Sequence, residues 1–128
     1  EMSASLVGSE MCIETDIESF RPYGKETINS QEYWLVHAGL DEFSETKELE
    51  EYTVDELVWT RIDYEIPYFE DIIVVSGHTP TQKILGNSKP GFIFRANNHI
   101  AIDCGAAMRS GRLAAICLDT GAEYYAEV

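Results

Sequence analysis

Two short apolar segments of the chain end in the same way, and this match constrains the fold more than any other feature. Residues 33–37 read Tyr-Trp-Leu-Val-His before Ala-Gly-Leu, and residues 72–75 read Ile-Ile-Val-Val before Ser-Gly-His-Thr-Pro. Unbroken runs of β-branched, aliphatic and aromatic residues are typical of strands buried in a sheet. Each run stops abruptly at a turn of small residues, so the pattern predicts two core strands with well-defined ends.

A histidine stands at the end of each predicted strand, His37 in the first and His78 in the second. Side chains at the end of a buried strand lie at the edge of a rigid sheet, where proteins usually hold ligands and metals. Imidazole is the commonest metal ligand in proteins, so the pair is predicted to form half of a metal site. The alternative for either histidine alone is a core imidazole that hydrogen-bonds a backbone carbonyl.

Length and composition indicate one ordinary globular domain over residues 1–128. Hydrophobic residues make up 45% of the 128 positions, which suits a modest core and argues against disorder. No apolar run approaches the ~20 residues that span a bilayer, and no basic start followed by an apolar stretch marks secretion. We therefore expect no membrane partner and a cytoplasmic location.

Charge is distributed unevenly along the chain. The formal net charge is −14, and most of the acidic residues lie before position 72, whereas residues 72–118 contain Asp103 as their one acid. An acidic surface repels phosphate backbones, so nucleic acid is excluded as a general partner. A solvated acidic face that keeps the protein soluble is the simpler explanation.

The cysteines Cys12, Cys104 and Cys117 show no Cys-x-x-Cys spacing. An odd number of cysteines argues against a disulfide framework. We expect reduced, buried thiols of the kind that cytosolic proteins carry.

Local signals predict a β-rich α+β fold. Thr53 and Glu56 form a capping box for a helix that runs to about Arg61. The pairs Asn29-Ser30 and Asn97-Asn98 predict the tight turns of two hairpins. A partial helix is expected within the Glu-rich residues 41–52. Further strands are predicted at 83–85, 92–95, 99–102, 113–118 and 123–125, of which 113–118 is expected to lie in the core. The fold class is therefore α+β, with one clear helix and one or two weak ones.

Five sequence blocks occur in an order that characterises one enzyme family. They are Val-His-Ala-Gly-Leu at 36–40, Glu-Leu-Val-Trp-Thr-Arg at 56–61, Ser-Gly-His-Thr-Pro at 76–80, Ile-Asp-Cys-Gly at 102–105 and Gly-Arg-Leu-Ala-Ala-Ile-Cys-Leu-Asp-Thr-Gly at 111–121. Together they resemble the calcineurin-like metallophosphoesterases, in particular the bacterial serine/threonine phosphoprotein phosphatases. The resemblance covers about residues 25–128.

The resemblance implies an αββα sandwich with two metal ions at the edge of its sheets. Of the family's ligand motifs, only the two histidine motifs occur here; they fall on His37 and His78, which would bind the same metal. The motifs Asp-x-His, Gly-Asp-x-x-Asp-Arg-Gly and Gly-Asn-His do not occur. The chain therefore resembles the C-terminal half of such an enzyme, and no catalytic residue is assigned within it.

By this resemblance, the expected function is hydrolysis of phosphomonoesters through a dinuclear centre of Mn, Fe or Zn. The expected substrate is a phosphorylated protein or a small phosphoester. Two cations ~4 Å apart need carboxylates to offset their repulsion, and two imidazoles carry no negative charge. We therefore expect little phosphatase activity from this chain alone. The alternatives are dinucleoside-tetraphosphate hydrolysis and a non-catalytic fragment that self-associates as a homo-oligomer.

Further residues near these motifs have more than one interpretation. The resemblance implies that Arg61 binds the substrate phosphate, and a guanidinium fork suits a phosphate dianion. The alternative is that Arg61 complements the dipole of the predicted helix. His99 matches no ligand motif and is expected to be a surface imidazole. Asp103 is expected to fix a turn by accepting a hydrogen bond from a nearby amide. Trp59 is expected to serve only in packing.

Overall fold

The structure is a computed structural model that describes residues 21–127. In that range it is β-rich, with one short α-helix and two 3-10 turns, at Leu49–Glu51 and Thr81–Lys83. The elements are β1 (Tyr23–Ile28), β2 (Gln31–Val36), α1 (Val54–Val58), β3 (Ile72–Ser76), β4 (Phe94–Ala96), β5 (His99–Ala101), β6 (Arg112–Ile116) and β7 (Glu123–Glu127). The prediction for Cys12 lies outside the described residues.

Five strands form a mixed sheet in the order β1-β2-β3-β5-β4. The central pairs, β2 with β3 and β3 with β5, are parallel, whereas β1 and β4 are added at the edges as antiparallel partners. Parallel neighbours point their carboxyl ends at the same edge of a sheet. The residues that follow β2, β3 and β5 therefore meet at one edge.

The two antiparallel pairs of this sheet are tight hairpins, as the sequence predicted. In the β1–β2 turn, Asn29 and Ser30 have φ angles of 52° and 66°, and in the β4–β5 turn Asn97 and Asn98 have φ angles of 51° and 59°. A two-residue turn with positive φ at both positions matches the twist of the strands that it joins. Asparagine tolerates this conformation better than most residues, which explains its place in both turns.

Apolar side chains alternate between the two faces of the sheet and build one core on each. On the first face, Trp34, Val36 and Val74 pack against α1 and the segment before it. This cluster contains the buried residues Trp34, Val36, Leu40, Leu49, Tyr52, Leu57 and Val74. At about 1.5–3 kcal/mol for each fully buried large apolar side chain, this layer supplies a substantial part of the driving force for folding.

The second face of the sheet is covered by a separate two-stranded ribbon of β6 and β7. Val75 and Ile100 of the sheet pack in one cluster with Ala114, Ile116 and Tyr125 of the ribbon. The phenolic oxygen of Tyr125 also accepts a hydrogen bond from the amide of Ile93, at 3.0 Å. The ribbon thus closes the core on the side opposite α1.

Several predicted elements differ from the structure. Residues 83–85 form no strand: the chain makes a 3-10 turn at Thr81–Lys83 and leaves Leu85 87% exposed. The Glu-rich residues 41–52 contain only the 3-10 turn Leu49–Glu51 as helical structure. The predicted core strand at 113–118 is β6, which buries only alternate side chains and leaves Leu113 59% exposed. Alternation is what a two-stranded ribbon produces, because it has one face on the core and one in solvent.

The prediction that His99 is a surface imidazole is wrong. His99 is 1% exposed, because β5 lies between β3 and β4 in the sheet. Its Nε2 is 2.7 Å from the carbonyl oxygen of Ile66, and the rings of Tyr64 and Tyr68 lie edge-on to it. The residue is a buried core histidine.

Within residues 21–127, the structure contains no helix with the length and hydropathy required to cross a membrane.

Candidate functional site

The shared edge of β2 and β3 brings the two predicted ligand histidines together. Leu35 is paired with Val75 in the parallel ladder, and the amide of Gly77 donates to the carbonyl of His37 at 2.8 Å, which extends the pairing past the strand ends. The imidazole rings of His37 and His78 lie 5.3 Å apart between centroids, inclined at 48°. His37 is exposed and His78 is partly buried, so the pair is open to solvent on one side.

The backbone at His78 adopts a strained conformation. Its φ angle is 66°, and the amide of Thr79 donates to the carbonyl of Gly77 at 2.7 Å, so His78 is the centre of a three-residue γ-turn. Turns of this type with a positive central φ are rare, and a non-glycine residue in them costs of order 1–3 kcal/mol. Here, the turn points the imidazole of His78 toward that of His37 at the sheet edge.

The helix α1 holds the loop that carries His37. The carbonyl of Leu57, at the end of α1, accepts the amides of Ala38 at 2.8 Å and Gly39 at 3.4 Å. The helix itself begins at a confirmed capping box, in which the hydroxyl of Thr53 accepts the amide of Glu56 and the Glu56 carboxylate accepts the amide of Thr53. The capped helix thus fixes the position of the first ligand candidate.

Position 39 has to be glycine because residues 60–62 approach it closely. A Cβ atom at this position would lie 2.8 Å from Ile62 Cγ1, 2.9 Å from Thr60 Cγ2 and 3.1 Å from the hydroxyl of Tyr68. The absence of a side chain lets residues 60–62 pass directly over the loop after β2. This packing places Arg61 beside the histidine pair.

Arg61 is held against the second histidine loop. Its Nη1 donates to the carbonyl oxygen of His78 and to the hydroxyl of Thr79, both at 3.1 Å. In the described part of the chain, these hydrogen bonds use only one of the three guanidinium nitrogens. Arg61 is exposed, which leaves the other N–H donors accessible to a ligand. The helix-dipole interpretation of Arg61 is wrong, because α1 ends at Val58 and its last turn carries no basic residue.

Trp59 lies beside the histidine pair, where the sequence predicted only a packing role. Its side chain is 70% exposed, and its ring lies edge-on to that of His78 at 6.2 Å between centroids. Helical periodicity does not predict the exposure of Trp59, because α1 ends one residue before it. No local signal in the sequence marks this position, because the exposure of Trp59 depends on contacts between segments that are far apart in sequence.

Asp103 follows β5 at the same edge and fixes a turn there, as predicted. Its Oδ1 accepts the amide of Gly105 at 3.0 Å, and its carbonyl accepts the amide of Thr81 at 2.8 Å. The second contact ties the loop after β5 to the loop after β3. Asp103 therefore supports the segment that carries His78.

The environment of His78 favours its neutral form. Partial burial lowers the pKa of His78 from its usual value, and the nearby positive groups Arg61 and His37 lower it further. A neutral imidazole is the form that binds a metal ion, since the ligand nitrogen must be unprotonated.

No family model, curated protein or solved structure matches this chain.

The donor set at the sheet edge fits one divalent metal ion in part. Two imidazoles that bind one ion at about 2.1 Å have ring centres about 5 Å apart, which is close to the 5.3 Å between His37 and His78. Nitrogen ligands of this kind suit Mn, Fe and Zn. Among residues 21–127, however, no group of three or more His, Cys, Asp or Glu side chains is arranged to hold a metal. The pair supplies two ligands of a site that needs further ones.

The cysteines of the described residues take no part in this site. Cys104 is 1% exposed in the second core cluster, as predicted, whereas Cys117 is partly exposed in the turn between β6 and β7. Both are free thiols. They lie on the ribbon side of the sheet, and neither is a candidate ligand here.

Proposed function

We propose that the chain contributes to a metal-dependent phosphoesterase of the serine/threonine phosphoprotein phosphatase type. His37 and His78 would hold one divalent ion, and Arg61 would bind the phosphate. The observation that carries this proposal is the 5.3 Å approach of the two imidazoles at the carboxyl edge of parallel strands, with a guanidinium beside them. Carboxylates from outside the described residues would complete a two-metal centre.

The chemistry of each group supports this assignment. A bound divalent ion supplies Lewis acidity to the phosphoryl oxygens. Arg61 orients a phosphate dianion through its other N–H donors, while the bonds of Nη1 to His78 and Thr79 fix the plane of the guanidinium. In the hydrolysis, a water oxygen bonds to phosphorus, and the ester oxygen leaves as an alcohol that takes a proton from that water.

Binding of inorganic phosphate to the manganese-loaded chain tests the role of Arg61. We expect Arg61→Ala to weaken phosphate binding by about 10- to 100-fold in isothermal titration calorimetry, because a hydrogen bond to a charged group contributes about 1.5–3 kcal/mol. Arg95→Ala is the matched control, since Arg95 is an exposed arginine of β4 whose guanidinium contacts Glu123 and the carbonyl of Gly121 on the side of the ribbon. Equal phosphate affinity of Arg61→Ala and the unaltered chain would remove the substrate role of Arg61.

A further inference from the structure

A cleft of about 550 Å³ opens beside the candidate site, between the segment after α1 and the segment after β3. Clefts of about 300–1,000 Å³ are the size that small organic ligands fill. Its lining consists of Arg61, Ile62, Asp63, Tyr64, Glu65, Thr79, Lys83, Ile84 and Leu85. Apart from Arg61, these residues have no role predicted from the sequence, and residues 83–85 were predicted to form a strand.

The walls of the cleft are apolar, and its charges balance. Ile62, Tyr64, Ile84 and Leu85 provide hydrocarbon and ring surface, with Tyr64 and Ile84 buried and Leu85 87% exposed at the mouth. Two basic residues and two acidic residues, Asp63 and Glu65, line the cleft. Because the basic and acidic charges are equal in number, they give little preference for a charged ligand. The apolar walls therefore determine which ligands bind.

The cleft is continuous with the proposed phosphate position. Arg61 and Thr79 line the cleft, and the same two side chains are hydrogen-bonded to each other next to the carbonyl of His78. A phosphate held by the other donors of Arg61 would therefore have its ester oxygen near the mouth of the cleft. The organic group attached to that oxygen would enter an apolar space.

We propose that this cleft binds an uncharged, ring-sized apolar group of the substrate that lies next to the phosphate, such as an aryl ring. The proposal rests on the proposed function, because it takes Arg61 as the phosphate-binding residue. It adds a feature of the substrate: phosphoesters with an apolar group of this kind beside the phosphate bind better than phosphoesters without one. The gain comes from apolar surface that leaves water, not from new charge contacts.

Two phosphonates of equal charge test this selection with the zinc-loaded chain. Phenylphosphonate and methylphosphonate share the phosphonate group and differ in the apolar group that the cleft would receive. We expect calorimetry to give about tenfold or greater preference for phenylphosphonate. In methyl-labelled protein, phenylphosphonate should shift the NMR signals of Ile62 and Ile84, whereas methylphosphonate should leave the signal of Ile84 in place.

Leu85→Ser removes one wall of the cleft without disturbing the core, since Leu85 is 87% exposed. We expect it to reduce the preference for phenylphosphonate several-fold and to leave methylphosphonate affinity unchanged. Leu113→Ser is the matched control, because Leu113 is an exposed leucine on the ribbon β6–β7, and it should alter neither affinity.

The outcomes separate the two proposals. If both phosphonates bind with equal affinity, or if Leu85→Ser keeps the full preference, the cleft does not select the substrate, while the phosphate role of Arg61 stands. If neither phosphonate binds, the proposed function fails and the substrate preference fails with it. A preference that Leu85→Ser and Leu113→Ser reduce equally would also overturn the assignment to this cleft.

Discussion

The three histidines lie in different environments, and the environment of each imidazole determines whether it can bind a ligand. His37 is exposed at the end of β2, and His78 is partly buried in a γ-turn after β3. His99 lies in the middle of the sheet, where its Nε2 contacts a carbonyl and its Nδ1 has no hydrogen-bond partner within residues 21–127. The first two rings can bind a ligand, whereas the third is committed to the core.

Burial gives His99 a pH-dependent effect on stability. Desolvation lowers the pKa of His99 below its usual value of 6.5, against opposing contributions from the carbonyl of Ile66 and the carboxylate of Asp63. The unfolded chain therefore binds more protons than the folded one in this range. The contribution of His99 to stability is complete above pH 6.5 and is lost as the pH falls through the lowered pKa of the folded state.

The measurement is an NMR titration of His99 combined with urea unfolding at pH 7.5 and pH 5.5. We expect a folded-state pKa below 6.5 and a lower free energy of unfolding at the acidic pH. His99→Gln keeps a donor for the carbonyl of Ile66 but does not titrate, so it should show a smaller loss. A folded-state pKa of His99 above 6.5 would contradict the buried environment.

At the scale of elements, the loop after β2 and the segment after α1 depend on each other. Gly39 lies under Thr60 and Ile62, and the carbonyl of Leu57 accepts the amides of Ala38 and Gly39. The position of the first histidine is therefore coupled to the segment that carries Arg61.

Gly39→Ala is expected to disturb both segments together. The added methyl group would meet Thr60 and Ile62 at less than 3.0 Å, so the free energy of unfolding should fall by about 1–3 kcal/mol. Gly24→Ala is the control, because a Cβ there would meet only Leu35, at 3.4 Å, and it should change stability little. Denaturant unfolding measures both variants, and equal stability of the two would show that residues 60–62 do not pack on Gly39.

Elements with strong local signals were predictable from the sequence. The turn at Asn29-Ser30, the turn at Asn97-Asn98 and the capping box at Thr53 all form as expected, because neighbouring residues alone determine them. The segment at 83–85 was not predictable in this way. Its short apolar run resembles a strand, but the side chain of Asn87 hydrogen-bonds the carbonyl of Thr81 and helps to fold the chain into a turn.

The candidate site shows the same division between local and long-range information. The placement of His37 and His78 at strand ends could be predicted, since apolar runs and small-residue turns define those ends. The exposure of Trp59, the burial of His99 and the cleft beside Arg61 could not, because each depends on contacts between segments that are far apart in sequence. Composition and periodicity do not predict contacts of that kind.

At the scale of the whole molecule, the sheet has one core under α1 and another under the ribbon β6–β7. The outer face of the ribbon remains apolar: Leu113 and Tyr124 are 59% and 61% exposed, and Ala115 is paired with Tyr124 across the strands. Exposed apolar patches of this kind favour association. We predict that this face carries the self-association that the sequence left open as an alternative.

Static light scattering over a range of concentrations tests that association. We expect the mean mass of the unaltered chain to rise with concentration and Leu113→Lys to stay near the monomer mass of 14.4 kDa, because a charge there opposes burial. Val54→Lys, at an exposed valine of α1 on the opposite side of the sheet, should behave like the unaltered chain. A strictly monomeric unaltered chain would contradict the prediction.

The most direct test of the account is zinc binding by the unaltered chain and by the double variant His37→Ala/His78→Ala, followed by competition with a chromogenic chelator. We predict that each chain binds one zinc ion weakly, and that affinity falls by about tenfold or more when both imidazoles are removed, since even outer-shell partners of a metal contribute 10- to 100-fold. His99→Gln should bind zinc like the unaltered chain. Unchanged zinc affinity in the double variant would contradict the assignment of the histidine pair as metal ligands.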